Sequence, residues 1–190
     1  MVNFENDIKR CIGVLNKGGL ILYPTDTIWG IGCDATNEKA VEKIFSLKKR
    51  SDKRSMIILV ADEKEIFNYA ANPDKKIFEY LSTTQKPTTV IYEHAKNIDG
   101  NLINSDGTIA IRIVNDDFCK MLINQFKKPI VSTSANISGE AFPQNFNEIV
   151  AKIKNGVDYI VQHRQNDLMV SQPSAIIKLN NQENIEILRS

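Results

Sequence analysis

The chain has 190 residues, 42% of them hydrophobic, with a formal net charge of +1. That is apolar material enough for one globular domain spanning residues 1–190, and a charge balance that carries no overall nucleic-acid or membrane signature. Three scattered cysteines (Cys11, Cys33, Cys119) and two isolated histidines (His94, His163) supply neither a disulfide framework nor a zinc-ligand pattern.

In chain order, Ile8, Cys11, Ile12 and Leu15 recur at helical spacing over residues 4–17, and Gly18-Gly19 ends that helix. LILY (20–23) is a short apolar strand. A second helix runs over 37–50 with Ala40, Val41, Ile44, Phe45 and Leu47 inward. MIILVA (56–61) is a buried strand, residues 62–84 hold two short helices, and PTTVIY (87–92) and TIAIRIV (108–114) are strands. NDDFCKMLINQF is a helix capped by Asn115 or Asp116. PIVSTSAN (129–136) begins as a strand and ends in hydroxyls, residues 145–155 form a further helix, and DYIVQ, SAIIKL and IEIL are late strands. Seven or eight strands among helices, with several direct strand-to-strand steps, imply an α/β fold around a mixed sheet. No apolar run reaches the roughly 20 residues that span a bilayer. The start, MVNFENDIKR, has no signal-peptide core, so the chain reads as a cytoplasmic protein without a membrane partner.

Several familiar motifs are missing. There is no GxxxxGK[ST] loop and no GxSxG elbow. Gly30 and Gly32 form GxG, but Ala35 stands where a third glycine would be. SLKK at 46–49 matches SxxK without the partner motifs of an acyl-enzyme. No covalent nucleophile stands out.

What does stand out is polar chemistry at strand ends. Thr25-Asp26-Thr27 follows Pro24 directly after the first strand. By itself this is a turn, or a place where hydroxyls meet a substrate. KKRSDKR (48–54) ends the second helix with five cations around one acid. It is either a solvated helix terminus or an anion cradle in which Arg50 forks onto oxyanions and Lys48 adds a point charge. STSAN (132–136) is either a capped turn or a pocket floor. Ser174 opens a late strand and Arg189 closes the chain. Together these suit an anionic ligand with several polar groups, such as a nucleotide.

The blocks YPTDTIWGIGCDATNEKAVEKIFSLKKR, MIILV, KPTTVIY, TIAIR, STSANISG, PSAII and EILR occur in an order that resembles the YrdC-like family of threonylcarbamoyl-AMP synthases, over nearly the whole chain. The resemblance implies a single-domain, twisted, open mixed sheet with flanking helices and a concave basic groove. It implies a nucleotidyltransferase that makes threonylcarbamoyl-AMP and pyrophosphate from L-threonine, bicarbonate and ATP, with Mg2+ carried by ATP. The product would pass to a downstream threonylcarbamoyl transferase for tRNA modification next to the anticodon. Carried over by position, Lys48 and Arg50 are catalytic, Lys48 also meeting the ATP phosphates. Thr25, Thr27, Thr108, Arg112 and Ser174 bind substrate, while Arg54, Ser134, Asn136 and Arg189 bind nucleotide; no metal ligand is implied. The alternative is a paralogue of the same fold that binds double-stranded RNA or tRNA without synthase activity. Ser51 and Ser55 stand where the family often has proline, and Ala175 and Lys178 also depart from its pattern.

Overall fold

A computed structural model describes residues 4–49, 56–180, 182 and 184–190. Among these, nine strands form one sheet in the order β7-β1-β2-β6-β3-β5-β4-β8-β9. The strands are β1 (Ile21–Tyr23), β2 (Gly30–Gly32), β3 (Ile57–Val60), β4 (Thr88–Tyr92), β5 (Ile109–Ile113), β6 (Ile130–Ser134), β7 (Tyr159–Ile160), β8 (Ala175–Leu179) and β9 (Ile185–Arg189). The sheet is mixed. β1/β7, β3/β5 and β4/β8 run parallel, and the remaining neighbours antiparallel. The helices are α1 (Glu5–Asn16), α2 (Glu38–Lys48), α3 (Glu63–Tyr69), α4 (Lys75–Thr83), α5 (Asp117–Phe126) and the single-turn α6 (Ala151–Lys154).

Side chains alternate across a strand, so each strand feeds two faces. Leu22, Ile31, Ile58, Val60, Val90, Ile111, Val131 and Ile177 share one hydrophobic core with Val41 and Ile44 of α2. Their alternates Ile21, Tyr23, Leu59 and Ile130 pack on the other face against Ile8, Cys11 and Leu15 of α1 and Phe118 and Leu122 of α5. α1 and α5 cover only part of that second face. Beyond them polar residues appear among the outward alternates: Ser132 and Ser134 on β6, Arg112 on β5, Thr89 on β4.

One segment gains an assignment and one expectation changes. The GIG segment, given no element from sequence, is strand β2, which pairs with both β1 and β6. A Cβ on Gly32 would lie 2.6 Å from the Tyr23 ring and 2.8 Å from the Val131 carbonyl, so this close approach needs glycine. The helix expected over 145–155 is instead a 3-10 turn (Phe146–Glu148) and the short α6. The Asn145 side chain accepts from the Asn147 N–H and closes a local turn. The β-branched pair Ile149-Val150 then takes extended ψ values of 121° and 146° before α6 begins. At α5 the cap is Asp116, whose Oδ1 accepts from the Cys119 N–H at 2.8 Å.

Candidate functional site

On the uncovered part of the second face lies a cleft of about 200 Å³. Its floor is the sheet itself: Gly30, Ile57, Ser132, Ser134, Arg112 and Ile176. The registers show why these residues meet. Ile130 pairs with Leu59, Leu59 with Arg112, Arg112 with Thr89, Thr89 with Ile176 and Ile176 with Arg189. One continuous row thus crosses six strands and puts Arg112 and Arg189 on the same face, about 14 Å apart along the sheet at ~4.8 Å per strand. Their long side chains close that gap. The Arg112 charge, after burial, is the second cause holding Arg189 below its ordinary value. No acid lines the cleft among the described residues.

A wall of the cleft is the Thr25–Trp29 turn, whose Asp26 abuts Arg112. Thr25 is buried beneath it and organises it. Its Oγ1 donates to the Ile28 carbonyl at 2.8 Å, accepts from the Thr27 N–H at 3.0 Å and lies 2.9 Å from Thr27 Oγ1. A hydroxyl has one proton. Thr25 gives its proton to Ile28, so Thr27 must donate in the hydroxyl pair. The lone pairs of Thr27 then remain for the cleft that it lines. Ser134 is constrained in the same way, because its Oγ donates to Asn136 Oδ1 at 2.6 Å. The cleft therefore offers both hydroxyl acceptors and guanidinium donors.

Lys48 ends α2 and is 2% exposed. Its ammonium donates to the Ser134 carbonyl (2.5 Å), the Asn136 carbonyl (2.7 Å) and Asn136 Oδ1 (3.1 Å). Lys48, Ser134 and Asn136 are therefore brought together across 86 to 88 residues of chain. Ser134 reaches the cleft lining, while Lys48 and Asn136 stand behind it and brace the loop. Thr27, Arg112, Ser134, Ser174 and Arg189 share the cleft. Thr108 does not reach it. It immediately precedes β5, at the end away from Arg112; its Oγ1 accepts from Asn104 Nδ2 and donates to Asp106 Oδ1. Arg50 and Arg54, like Ser51 and Ser55, lie outside the described residues.

Three residues not singled out by sequence complete the site. Asp26 Oδ1 lies 3.1 Å from Arg112 Nη2, Arg112 being buried and the Asp26 side chain 7% exposed. Thr89 Oγ1 lies 2.8 Å from Ser174 Oγ, fixing the serine whose carbonyl accepts from Arg189 Nε at 2.9 Å. Arg164 donates to the Thr25 carbonyl at 3.1 Å. Asp26 sits inside the quoted turn and was visible there as an acid next to a β-branched pair. Thr89 and Arg164 carry no local signal.

A larger hollow of about 1110 Å³ lies where the start of α1 meets α5. Its lining includes Glu5, Asp116 and Asp117 against Lys120, which suits an anion less well than the arginine cleft does.

A family model named Sua5/YciO/YrdC, described as "Telomere recombination", matches residues 13–190. The chain belongs to that family. It is 32% identical over 160 residues to a threonylcarbamoyl-AMP synthase of Pseudoalteromonas translucida, covering 83% of this chain and 86% of the relative. It is 33% identical over 170 residues to one of Idiomarina loihiensis, covering 87% and 90%. The fold of P. abyssi Sua5 complexed with L-threonine superposes with a TM-score of 0.85 at 23% identity, over 97% of this chain and 54% of that one. The chain thus spans about half the length of that solved Sua5 protein. The expected fold holds: an open mixed α/β sheet with flanking helices, as in the Sua5/YciO/YrdC structures. Among the described residues no helix is long and apolar enough to cross a membrane.

Proposed function

We propose that the chain is a threonylcarbamoyl-AMP synthase, converting L-threonine, bicarbonate and ATP to threonylcarbamoyl-AMP and pyrophosphate. The observation that carries this reading is the polarity of the cleft. An amino acid brings an N–H donor and a carboxylate. The cleft combines lone pairs of Thr27 and Ser134 with the guanidinium groups of Arg112 and Arg189. Arg112 Nε and Nη2 are buried and have no aligned hydrogen-bond partner among the described residues. The curated relatives named above bear the same activity in their names.

The roles follow from residue chemistry. Thr27, held by Thr25, takes the substrate amine, with Ser174 beside it. Arg112 and Arg189 take carboxylate, carbamate and phosphate oxygens as planar forks. Ser134, positioned through Asn136 and Lys48, orients the adenylate. The family resemblance assigns Arg50 to catalysis and Arg54 to the nucleotide. The reaction needs no protein nucleophile. The threonine nitrogen attacks the carbon of bicarbonate and releases water. The carbamate oxygen then attacks the α-phosphorus, and pyrophosphate leaves. The protein contributes alignment and anion stabilisation. Magnesium enters as the counter-ion of the ATP phosphates. A cleft of about 200 Å³ is smaller than the roughly 300–1,000 Å³ of ordinary ligand pockets. It accommodates the amino-acid part, and the nucleotide extends along the open face.

Pyrophosphate release measured with ATP and bicarbonate, with and without L-threonine, tests the proposal. Threonine-dependent release, lost in Arg112→Gln, is the expected result. Release that is absent or indifferent to threonine overturns it.

A further inference from the structure

We infer that Arg164 is a positioning residue that sets affinity for the amino-acid substrate by pinning the threonine turn from behind. The inference rests on the synthase reading and names a residue on the far side of the wall from the cleft.

Arg164 lies in the loop after β7. Its Nη1 lies 3.1 Å from the Thr25 carbonyl and 3.1 Å from Asp116 Oδ2, and its Nε lies 3.5 Å from Asp167 Oδ2. One guanidinium thus ties the turn to the N-cap of α5. The loop that carries it is itself tied to α1. Asp7 is buried and accepts from the Gln162 and His163 N–H groups at 3.0 Å each, and from the Tyr159 hydroxyl. Three elements distant in sequence therefore converge on the main chain of Thr25. The side chain of the same residue fixes the Thr27 hydroxyl that faces the cleft.

The backbone of Arg164 has φ of +65°, a left-handed conformation that a side chain-bearing residue rarely adopts. A glycine would hold this loop shape with less strain. Arginine at this position is accounted for by what its side chain does, and the contacts that it makes lead to Thr25. Its charge is matched locally by Asp116 and Asp167, so it is not spare positive potential for ATP.

The test compares Arg164→Ala, Arg164→Gly and Arg164→Lys by threonine-dependent pyrophosphate release and by calorimetric titration with L-threonine. Alanine and glycine are expected to raise the KM for threonine about tenfold while the KM for ATP stays within about twofold. Lysine, which can reach both the Thr25 carbonyl and Asp116, is expected to recover most of the loss. Glycine relieves the backbone, so its thermal midpoint is expected at or above that of the alanine variant. Three outcomes overturn the inference with an active wild type: an unchanged threonine KM, equal rises for threonine and ATP, or no recovery with lysine. A wild type with no threonine-dependent release and no threonine binding overturns the synthase reading itself, and this inference with it.

Discussion

Asp26 and Arg112 face one another at 3.1 Å beneath the floor of the cleft, but the Arg112 N–H groups do not point along that line. Asp26 spends its other oxygen on the Asn115 N–H at 3.1 Å. The pair is therefore a charge contact rather than a hydrogen-bonded fork. Asp26 offsets the cost of burying a guanidinium through its charge.

Removing the charge of Asp26 should consequently be far more damaging than its one contact suggests. Asp26→Asn leaves a buried cation without its counter-charge, at a cost of about 3–5 kcal/mol in urea unfolding. Adding Arg112→Met to the same chain should restore most of that loss. A cost below about 1 kcal/mol for Asp26→Asn would show that the pair does not stabilise Arg112.

Lys48 braces the Ser134–Asn136 loop through three oxygen acceptors. Lys48→Met removes those bonds and should destabilise the protein by about 3 kcal/mol. Faster amide hydrogen exchange at Ala135 and Ser138, whose N–H groups bond to the Trp29 and Lys48 carbonyls, is the accompanying sign. Unchanged exchange there would mean that the loop is held by other contacts.

Gly32→Ala places a methyl group 2.6 Å from the Tyr23 ring and 2.8 Å from a main-chain carbonyl. The carbonyl belongs to a paired strand and has little room to yield. Overpacking of this kind costs about 1–3 kcal/mol, to be read as a lowered denaturation midpoint. Gly100, where an added Cβ meets nothing within 4 Å, is the matched control.

His163 gives a pH dependence with a definite sign. Its ring lies against Phe4 and Phe118, with centroids 5.0 Å and 5.8 Å away. Burial, and then the neighbouring Arg164 charge, hold its pKa below the ordinary 6.5. The folded state therefore takes up a proton less readily than the unfolded chain. The contribution is complete above about pH 6.5 and is lost as pH falls toward the folded value. Urea midpoints measured from about pH 7.5 down to about pH 5.5 should decline less steeply in His163→Gln than in the wild type. Parallel declines would place the titration elsewhere.

The sequence alone determined the strands, the polar strand ends and the order of the blocks that carry the family resemblance. Those signals are local: apolar runs of four to six residues, a proline after a strand, hydroxyls after a β-branched run. It left β2 unread, because Gly-Ile-Gly has no strand propensity and becomes a strand only through neighbours on both sides. It also grouped Thr108 with Arg112, although one strand's length separates their side chains.

What only the tertiary structure decided is which polar groups face the same space and which brace it from behind. Arg112 and Arg189 share a cleft because three successive strand registers agree. Register depends on pairing between segments up to about a hundred residues apart and is not written in any one of them. Lys48 reads as a free cation in KKRSDKR, and its role as a loop brace exists only once β6 arrives beside the end of α2. Asp7, Asp116 and Arg164 acquire meaning only where three loops and helix ends meet behind Thr25.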